Sequence, residues 1–242
     1  MLRTLISLCC LLVGFSPLAS LAQTDSQRIV FTCSLPTEIP GIKTLETYYR
    51  DAFAKLGYQF SMTHRPDKRS LAEARSGQSD GECARIPETF SQAQLSDFAP
   101  VDVVVGTTTI NLWGRHPDHL EPTRLQPDNK VCFVESSSAS QHWLEAFRQN
   151  HPEKAPEVYE INNYQTALRM LAFGRLDYCV GAQVSFENAA QRNSLRGQVF
   201  DNGTLFRAQA KPLLNRKHMA IAPAFARELQ AIVDERGQLS TQ

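Results

Sequence analysis

The chain has 242 residues with 25 basic and 25 acidic side chains, so its formal net charge at pH 7 is zero. Because the basic residues are scattered rather than clustered, this balance argues against a polyanion-binding surface and against a nucleic-acid partner. The length suits one large domain or two small lobes.

The first 22 residues have the features of a cleavable export signal. Arg3 provides a positive start, Leu5 to Phe15 an apolar run, and Ser20-Leu21-Ala22 a small-x-small cleavage site. The apolar run is too short to span a bilayer. We therefore predict a signal peptide over 1–22 and a periplasmic mature chain, with an uncleaved membrane anchor as the alternative.

The next segment predicts a unit that alternates strands and helices. Apolar residues recur at helical spacing before Gly57, and β-branched or aromatic residues mark the strands. The predicted elements are a strand over 28–33, a loop over 35–41, a helix over 45–56, a strand over 58–62, a helix over 68–76 and a strand over 80–84. This order is the unit that builds parallel sheets.

A second unit of the same kind begins at Lys130. Its predicted elements are a strand over 130–134, a helix over 141–150, a strand over 158–161, a helix over 164–173, a strand over 176–180 and an amphipathic stretch over 185–192. Between the units, 101–109 is dense in β-branched residues and is predicted as a strand that crosses between lobes. A second crossing is predicted at 199–206, after which 213–221 and a helix over 224–235 return to the first lobe.

A short pattern occurs once in each unit, at nearly the same spacing. Its two copies are Leu71, Gly77, Asp80 and Cys83, and Leu168, Gly174, Asp177 and Cys179. The repeat predicts two similar α/β lobes, each doubly wound, and two lobes imply a cleft that takes a ligand. We place the first lobe at 23–108 plus 204–242 and the second at 109–203.

Four cysteines remain beyond the predicted signal peptide, at positions 33, 83, 132 and 179. The two-lobe arrangement puts one pair in each lobe, on its first and third strands. These strands are neighbours about 4.8 Å apart in a doubly wound sheet, a separation that a disulfide can bridge. We therefore predict Cys33–Cys83 and Cys132–Cys179 bonds; the alternative is four small buried thiols.

Sequence motifs for catalysis are mostly absent. The chain has no glycine-rich phosphate loop, no Gly-x-Ser-x-Gly elbow and no His-Glu-x-x-His. His116 and His119 flank Asp118, but Pro117 and the loop-like setting favour solvated surface over a metal site. We predict a binding protein without catalytic residues, metal or cofactor.

Arg85 is the first candidate for ligand binding, because it follows the third strand of the first lobe. Ligands of open α/β sheets bind beyond the carboxyl ends of the strands. A guanidinium there can hold a carboxylate through two parallel hydrogen bonds. The alternative is an arginine paired with Glu82 or Glu88.

A serine-rich turn between a strand and a helix of the second lobe is the second candidate. Its members Ser136, Ser137, Ser138 and Ser140 could contact an anion at the helix N-terminus, or Ser138 or Ser140 could simply cap the helix. The matching loop of the first lobe would face this turn, with Glu38 as its only charge.

Aromatic side chains complete the predicted site. Tyr164 opens the second helix of the second lobe, where Asn162 and Asn163 could instead serve as helix caps. Tyr164 or Trp113 could add an apolar wall to the cleft.

These features together resemble the family 3 extracellular solute-binding proteins. The segment Gly174-Arg175-Leu176-Asp177 is the strongest match, supported by Leu71-x5-Gly77-x2-Asp80-Gly81 and by the cleavable signal. The resemblance implies the type 2 periplasmic binding protein fold, and a protein, expected here as a monomer, that delivers an amino-acid-like, carboxylate-bearing ligand to an ABC importer. A sensory module of the same fold is the alternative, and a dehydratase-like enzyme a more remote one.

The chain departs from that family at two site positions. The arginine that binds the ligand carboxylate usually stands in Thr-Pro-Glu-Arg after the third strand, whereas this chain has Arg85 in Ala84-Arg85-Ile86-Pro87-Glu88. The aspartate that usually holds the ligand ammonium corresponds to Ala182.

Overall fold

A computed structural model describes residues 27–35, 41–135 and 137–240. The predicted signal peptide over 1–22 and the candidate residues Glu38 and Ser136 lie outside the described residues.

The described chain alternates strands and helices as the sequence predicts. The strands are β1 (Arg28–Cys33), β2 (Gln59–His64), β3 (Gly81–Arg85), β4 (Phe98–Ala99), β5 (Gly106–Gly114), β6 (Lys130–Val134), β7 (Glu157–Ile161), β8 (Tyr178–Ala182), β9 (Phe200–Asn215) and β10 (Leu239–Ser240). The helices are α1 (Ile42–Lys55), α2 (Asp67–Ser76), α3 (Gln92–Leu95), α4 (Ser138–Asn150), α5 (Tyr164–Ala172), α6 (Gln183–Arg192) and α7 (Ala222–Arg236).

The strands form a curled sheet in the order β2-β1-β3-β9-β5-β8-β6-β7. In the first lobe β1 pairs in parallel with β2 and β3, and in the second lobe β6 pairs in parallel with β7 and β8. Each lobe thus places its first strand between its second and third. This doubly wound arrangement confirms the fold class predicted from the repeat.

Strands β5 and β9 connect the lobes. They pair antiparallel from Gly106–Ala210 to Gly114–Phe200, and the other end of β9 pairs with β3 of the first lobe. Both predicted lobe boundaries fall inside these strands.

The predicted crossing strand over 101–109 is wrong at its start, because β5 begins only at Gly106. Val101, Val103 and Val105 are instead buried in the first-lobe core. Their β-branched alternation therefore reflects burial on one side of an extended segment, of which Val105 also bonds through its backbone to Ala210 of β9 and Leu239 of β10.

Each lobe has its own hydrophobic core and its own disulfide. Aromatic rings from four elements pack in the first lobe, with Phe53 stacked on Phe225 at 4.1 Å between centroids. The second lobe buries its side chains in separate clusters on the two faces of its sheet. Cys33 is bonded to Cys83 and Cys132 to Cys179, as predicted.

The repeated glycines end a helix in each lobe. Gly77 directly follows α2 and has a φ of 79°. Gly174, with a φ of 67°, is separated from the end of α5 by Phe173. Glycine is favoured in this left-handed conformation because it lacks a Cβ. No helix within the described residues is long and apolar enough to cross a membrane.

Candidate functional site

A cavity of about 170 Å³ lies between the two lobes. The first lobe contributes Ser34 after β1 and Arg85 at the end of β3, and the second contributes Ser137 after β6 and Ala182 at the end of β8. The carboxyl ends of the parallel strands in both lobes therefore face the same space, where ligands of such strands bind. Since a buried water needs about 10–15 Å³ of such volume, the cavity suits a molecule the size of roughly ten waters.

The cavity wall is mostly apolar. Ile42, Leu45 and Val105 line it from the first lobe and Ile110 lines it from β5. Among the described lining residues, the charges belong to Asp67 and Arg85, and hydroxyl groups supply much of the remaining polar surface. An apolar cavity with a few convergent polar groups is the usual form of a small-molecule site.

Arg85 lies between two carboxylates. Its Nη1 is 2.6 Å from Oδ1 of Asp67 and its Nη2 is 2.9 Å from Oε1 of Glu82. The side chain is only 6% exposed, and burial would lower its pKa, but the charges of Glu82 and Asp67 outweigh burial and raise the pKa above its ordinary value. The Nε has no hydrogen-bond partner among the described residues.

This geometry corrects the expectation that the Arg85 guanidinium stands free to grip a ligand carboxylate by two parallel hydrogen bonds. Both Nη groups are already engaged by Asp67 and Glu82. The structure shows the alternative, in which Arg85 is paired with Glu82. Arg85 nevertheless lines the cavity.

The serine turn divides between the cavity and the lobe interior. Ser137 and Ser138 line the cavity, whereas Ser140 is fully buried and its Oγ is 2.6 Å from Oγ of Ser137. Ser137 precedes α4 without a side-chain capping bond, so neither Ser138 nor Ser140 is the cap residue considered from the sequence.

The structure separates the two predicted aromatic residues. Tyr164 lines the cavity; burial raises its pKa, the neighbouring hydroxyls of Ser185 and Ser137 act in the opposite direction, and the charge of Asp67 raises the pKa further. Trp113 is not among the residues that line the cavity. It is buried in the second-lobe core, stacks on Phe186 at 4.9 Å and donates from Nε1 to the carbonyl of Gly181. Asn163 caps α5 by accepting from the N–H of Thr166, the capping role considered from the sequence.

Two sets of contacts join the lobes beside the cavity. The Nζ of Lys68 in α2 lies 2.5 Å from Oε1 of Glu135 and 3.6 Å from Oε1 of Glu160, and both glutamates belong to the second lobe. Thr89 of the first lobe donates to Ser138 of α4 over 3.3 Å. These contacts are made only when the lobes are close together.

The His116 to His119 loop is fastened through its backbone. Asn202 of β9 donates from Nδ2 to the carbonyls of His116 and Asp118, and His119 contacts Glu121. Over the described part of the chain, no group of three or more His, Cys, Asp or Glu side chains is arranged to hold a metal ion.

Asp67 is the site residue that the sequence interpretation missed. It stands at the start of α2, where an acidic side chain ordinarily interacts favourably with the positive end of the helix dipole. The topology contained a signal, since a helix that follows β2 begins at the same edge of the sheet where parallel β3 ends. Asp67 and Arg85 are therefore neighbours despite their 18-residue separation.

No protein-family model matches the chain. No curated protein matches it either.

Solved structures match it over most of its length. One is a histidine kinase sensor domain with similarity to periplasmic binding proteins, at 15% identity and TM-score 0.64, covering 87% of this chain and 92% of that one. The Bordetella pertussis BvgS periplasmic VFT2 domain matches at 17% identity and TM-score 0.62, over 87% and 94%. The probable amino-acid ABC transporter extracellular-binding protein YtmK of Bacillus subtilis matches at 14% identity and TM-score 0.66, over 86% and 93%. The chain therefore has the fold of the periplasmic binding proteins.

Proposed function

We propose that this chain is an exported solute-binding protein that encloses one small organic ligand between its lobes. The cavity at the carboxyl ends of the parallel strands of both lobes carries the proposal, because both lobes contribute to its wall. Inter-lobe contacts at Lys68 and Thr89 support closure around a ligand by hinge motion. The two disulfides support export, since such bonds persist in oxidising compartments.

Binding without turnover is part of this proposal. The charged groups that line the cavity, Asp67 and Arg85, are paired with each other, and this arrangement supports an electrostatic rather than an acid–base role. Product analysis after prolonged incubation with a bound ligand checks this point. Recovery of the ligand unchanged is the expected result, and its conversion would contradict the proposal.

Thermal unfolding in the presence of a small-molecule library tests ligand capture. A ligand that binds only the folded chain at 100 times its Kd adds about 2.7 kcal/mol to the free energy of unfolding, so the melting temperature rises. Val184→Trp fills the cavity from α6 and should abolish the shift. Gln141→Trp, which adds the same side chain at an exposed site of α4, should leave the shift intact. Equal shifts in both variants would place the ligand elsewhere.

We propose that the protein delivers the captured ligand to an ABC importer, in keeping with the resemblance and with the fold of YtmK. The similarity to a histidine kinase sensor domain favours a second candidate, in which the closed form is recognised by a signalling partner. Deleting the gene distinguishes the two. Loss of uptake of the radiolabelled ligand is expected for an importer, whereas unchanged uptake with altered ligand-dependent transcription indicates a sensor.

A further inference from the structure

The charges around the cavity do not balance. Arg85 carries one positive charge and contacts the two carboxylates of Asp67 and Glu82, so this triad has a net charge of −1. Asp67 is its most accessible member, with a side chain 16% exposed, against 6% for Arg85 and none for Glu82. The excess negative charge therefore reaches the ligand space through Asp67.

Each carboxylate of the triad lies in surroundings that favour negative charge. Glu82 accepts from the hydroxyl of Ser70 at 2.8 Å and from the backbone N–H of Ala84 at 3.2 Å, in addition to Arg85. Asp67 lies at the N-terminus of α2, where the helix dipole favours a negative charge. Hydrogen bonds and favourable dipoles of this kind stabilise the ionised form of a carboxylate.

Neighbouring cations do not correct the imbalance, because Lys211, which pairs with Arg85 in register, is neutralised by Asp102 at 2.7 Å. Lys68, next to Asp67, contacts both Glu135 and Glu160 across the cleft. Together the triad, Lys68 and its two glutamates amount to four carboxylates and two cations, a net charge of −2. An anionic ligand here would be repelled, and a cation would be attracted, most strongly where water is excluded.

A second polar feature indicates what accompanies that cation. The Arg85 side chain lines the cavity, and its Nε, which is almost inaccessible to solvent, has no hydrogen-bond partner among the described residues. A buried donor without an acceptor costs free energy, and a neutral oxygen supplies the acceptor without adding negative charge. The apolar wall formed by Ile42, Leu45 and Ile110 suits an aliphatic or aromatic body.

We infer that the cleft selects a small organic cation that has an apolar body and a neutral oxygen acceptor but no carboxylate, with its ammonium group on Asp67 and its oxygen on Arg85. Amides and alcohols that carry a primary amine belong to this class. The inference rests on the proposed function, because it assigns a ligand class to the same cleft. It differs from the carboxylate-bearing ligand that the resemblance implied.

Four compounds with the same branched aliphatic body test the inference by thermal shift and calorimetry at about pH 6.5, where an α-amine is protonated. L-leucinamide carries the cation and a neutral oxygen, isoamylamine the cation alone, L-leucine a cation with a carboxylate, and 4-methylpentanoate a carboxylate alone. We expect L-leucinamide to bind at least tenfold more tightly than L-leucine, isoamylamine to be intermediate, and 4-methylpentanoate not to bind.

Variants at Asp67 separate the charge from the fold. Asp67→Asn should lower the affinity for L-leucinamide at least tenfold. Asp67→Glu should keep the preference for L-leucinamide over L-leucine. Asp102→Asn is the matched control, because it removes a carboxylate that is 87% exposed. If Asp67→Asn does not fold, the preference of Asp67→Glu and of the unaltered chain among the four compounds still decides the result.

The outcomes also separate this inference from the proposed function. Binding of L-leucine or 4-methylpentanoate at least as tight as that of L-leucinamide would overturn the ligand class and leave solute capture standing. Absence of binding by all four compounds would also overturn it, and solute capture would then be judged by the wider library and the Val184→Trp variant.

Discussion

The two lobes fasten their first strands with the same pair of hydrogen bonds. In the first lobe the backbone N–H of Asp80 donates to the carbonyl of Val30, and the N–H of Val30 donates back to the Asp80 carboxylate at 2.7 Å. In the second lobe Asp177 and Lys130 exchange the same bonds, with 2.8 Å to the carboxylate. The repeated aspartates therefore serve the fold, and the ligand site lies beyond them.

The surroundings of the two aspartates differ. Asp80 also contacts His218 at 2.7 Å and Lys217 at 2.8 Å, from the segment that follows β9. The bonds to His218, Lys217 and the Val30 N–H outweigh burial, which acts in the opposite direction, and lower the pKa of Asp80 to about 2. The aspartate of the first lobe thus also holds the segment that follows β9. Among the contacts described, Asp177 is hydrogen-bonded only to Lys130 at the start of β6.

Removing one disulfide from either lobe should produce the largest loss of stability. The bonds span 50 and 47 residues. The loss of chain entropy in the unfolded state predicts that either bond adds about 4 kcal/mol to the free energy of unfolding. Double serine variants, Cys33/Cys83 and Cys132/Cys179, should therefore be destabilised about equally in urea titrations. Both tryptophans, Trp113 and Trp143, lie in the second lobe, so tryptophan fluorescence follows the second lobe and circular dichroism follows the whole chain. A loss confined to one variant would show that the lobes do not depend equally on their disulfides.

Asparagine variants of the repeated aspartates should show the asymmetry between the lobes. Asp80→Asn should cost about 1–2 kcal/mol, which allows for solvent screening at a partly buried site. Asp177→Asn should cost about 0.5–1 kcal/mol, the usual value for one hydrogen bond. Equal losses in urea titrations would mean that the contacts to His218 and Lys217 add nothing.

Acid should weaken the first lobe through Asp80. Because its pKa in the folded chain is below its ordinary value of 3.8, the ionised carboxylate stabilises the fold above about pH 4, and this contribution is lost as the pH falls toward 2. Asp80→Asn should therefore lose less stability than the unaltered chain between pH 4 and pH 2. Parallel pH profiles of the two proteins would contradict this account.

Breaking the Lys68 contact between the lobes should have the smallest effect. The lysine is 72% exposed, so the pair is screened by salt and should contribute little to the melting temperature. Lys68→Ala should instead broaden the distribution of inter-lobe distances at low salt, and 0.5 M salt should make the unaltered chain resemble the variant. A melting temperature strongly lowered at every salt concentration would assign Lys68 to the fold itself.

The repeat made the topology predictable, because helix periodicity, the two glycines and the cysteine spacing all agree with one strand order. The chemistry of the site was less accessible. Arg85 lines the cavity from the end of β3, but its partners are set by the packing of α2 on the sheet, which periodicity does not report. Trp113 was misplaced relative to the cleft because its burial depends on which face of β5 it occupies.

Closure of the two lobes around a small ligand can be measured directly by the distance between spin labels on the two lobes. Ser76→Cys in α2 and Gln149→Cys in α4 provide exposed attachment points, and the native cysteines 33, 83, 132 and 179 are held in disulfides. With L-leucinamide at a concentration that calorimetry shows to be saturating, the distance distribution should shorten and narrow relative to the ligand-free chain. Identical distributions with and without the bound ligand would contradict the account.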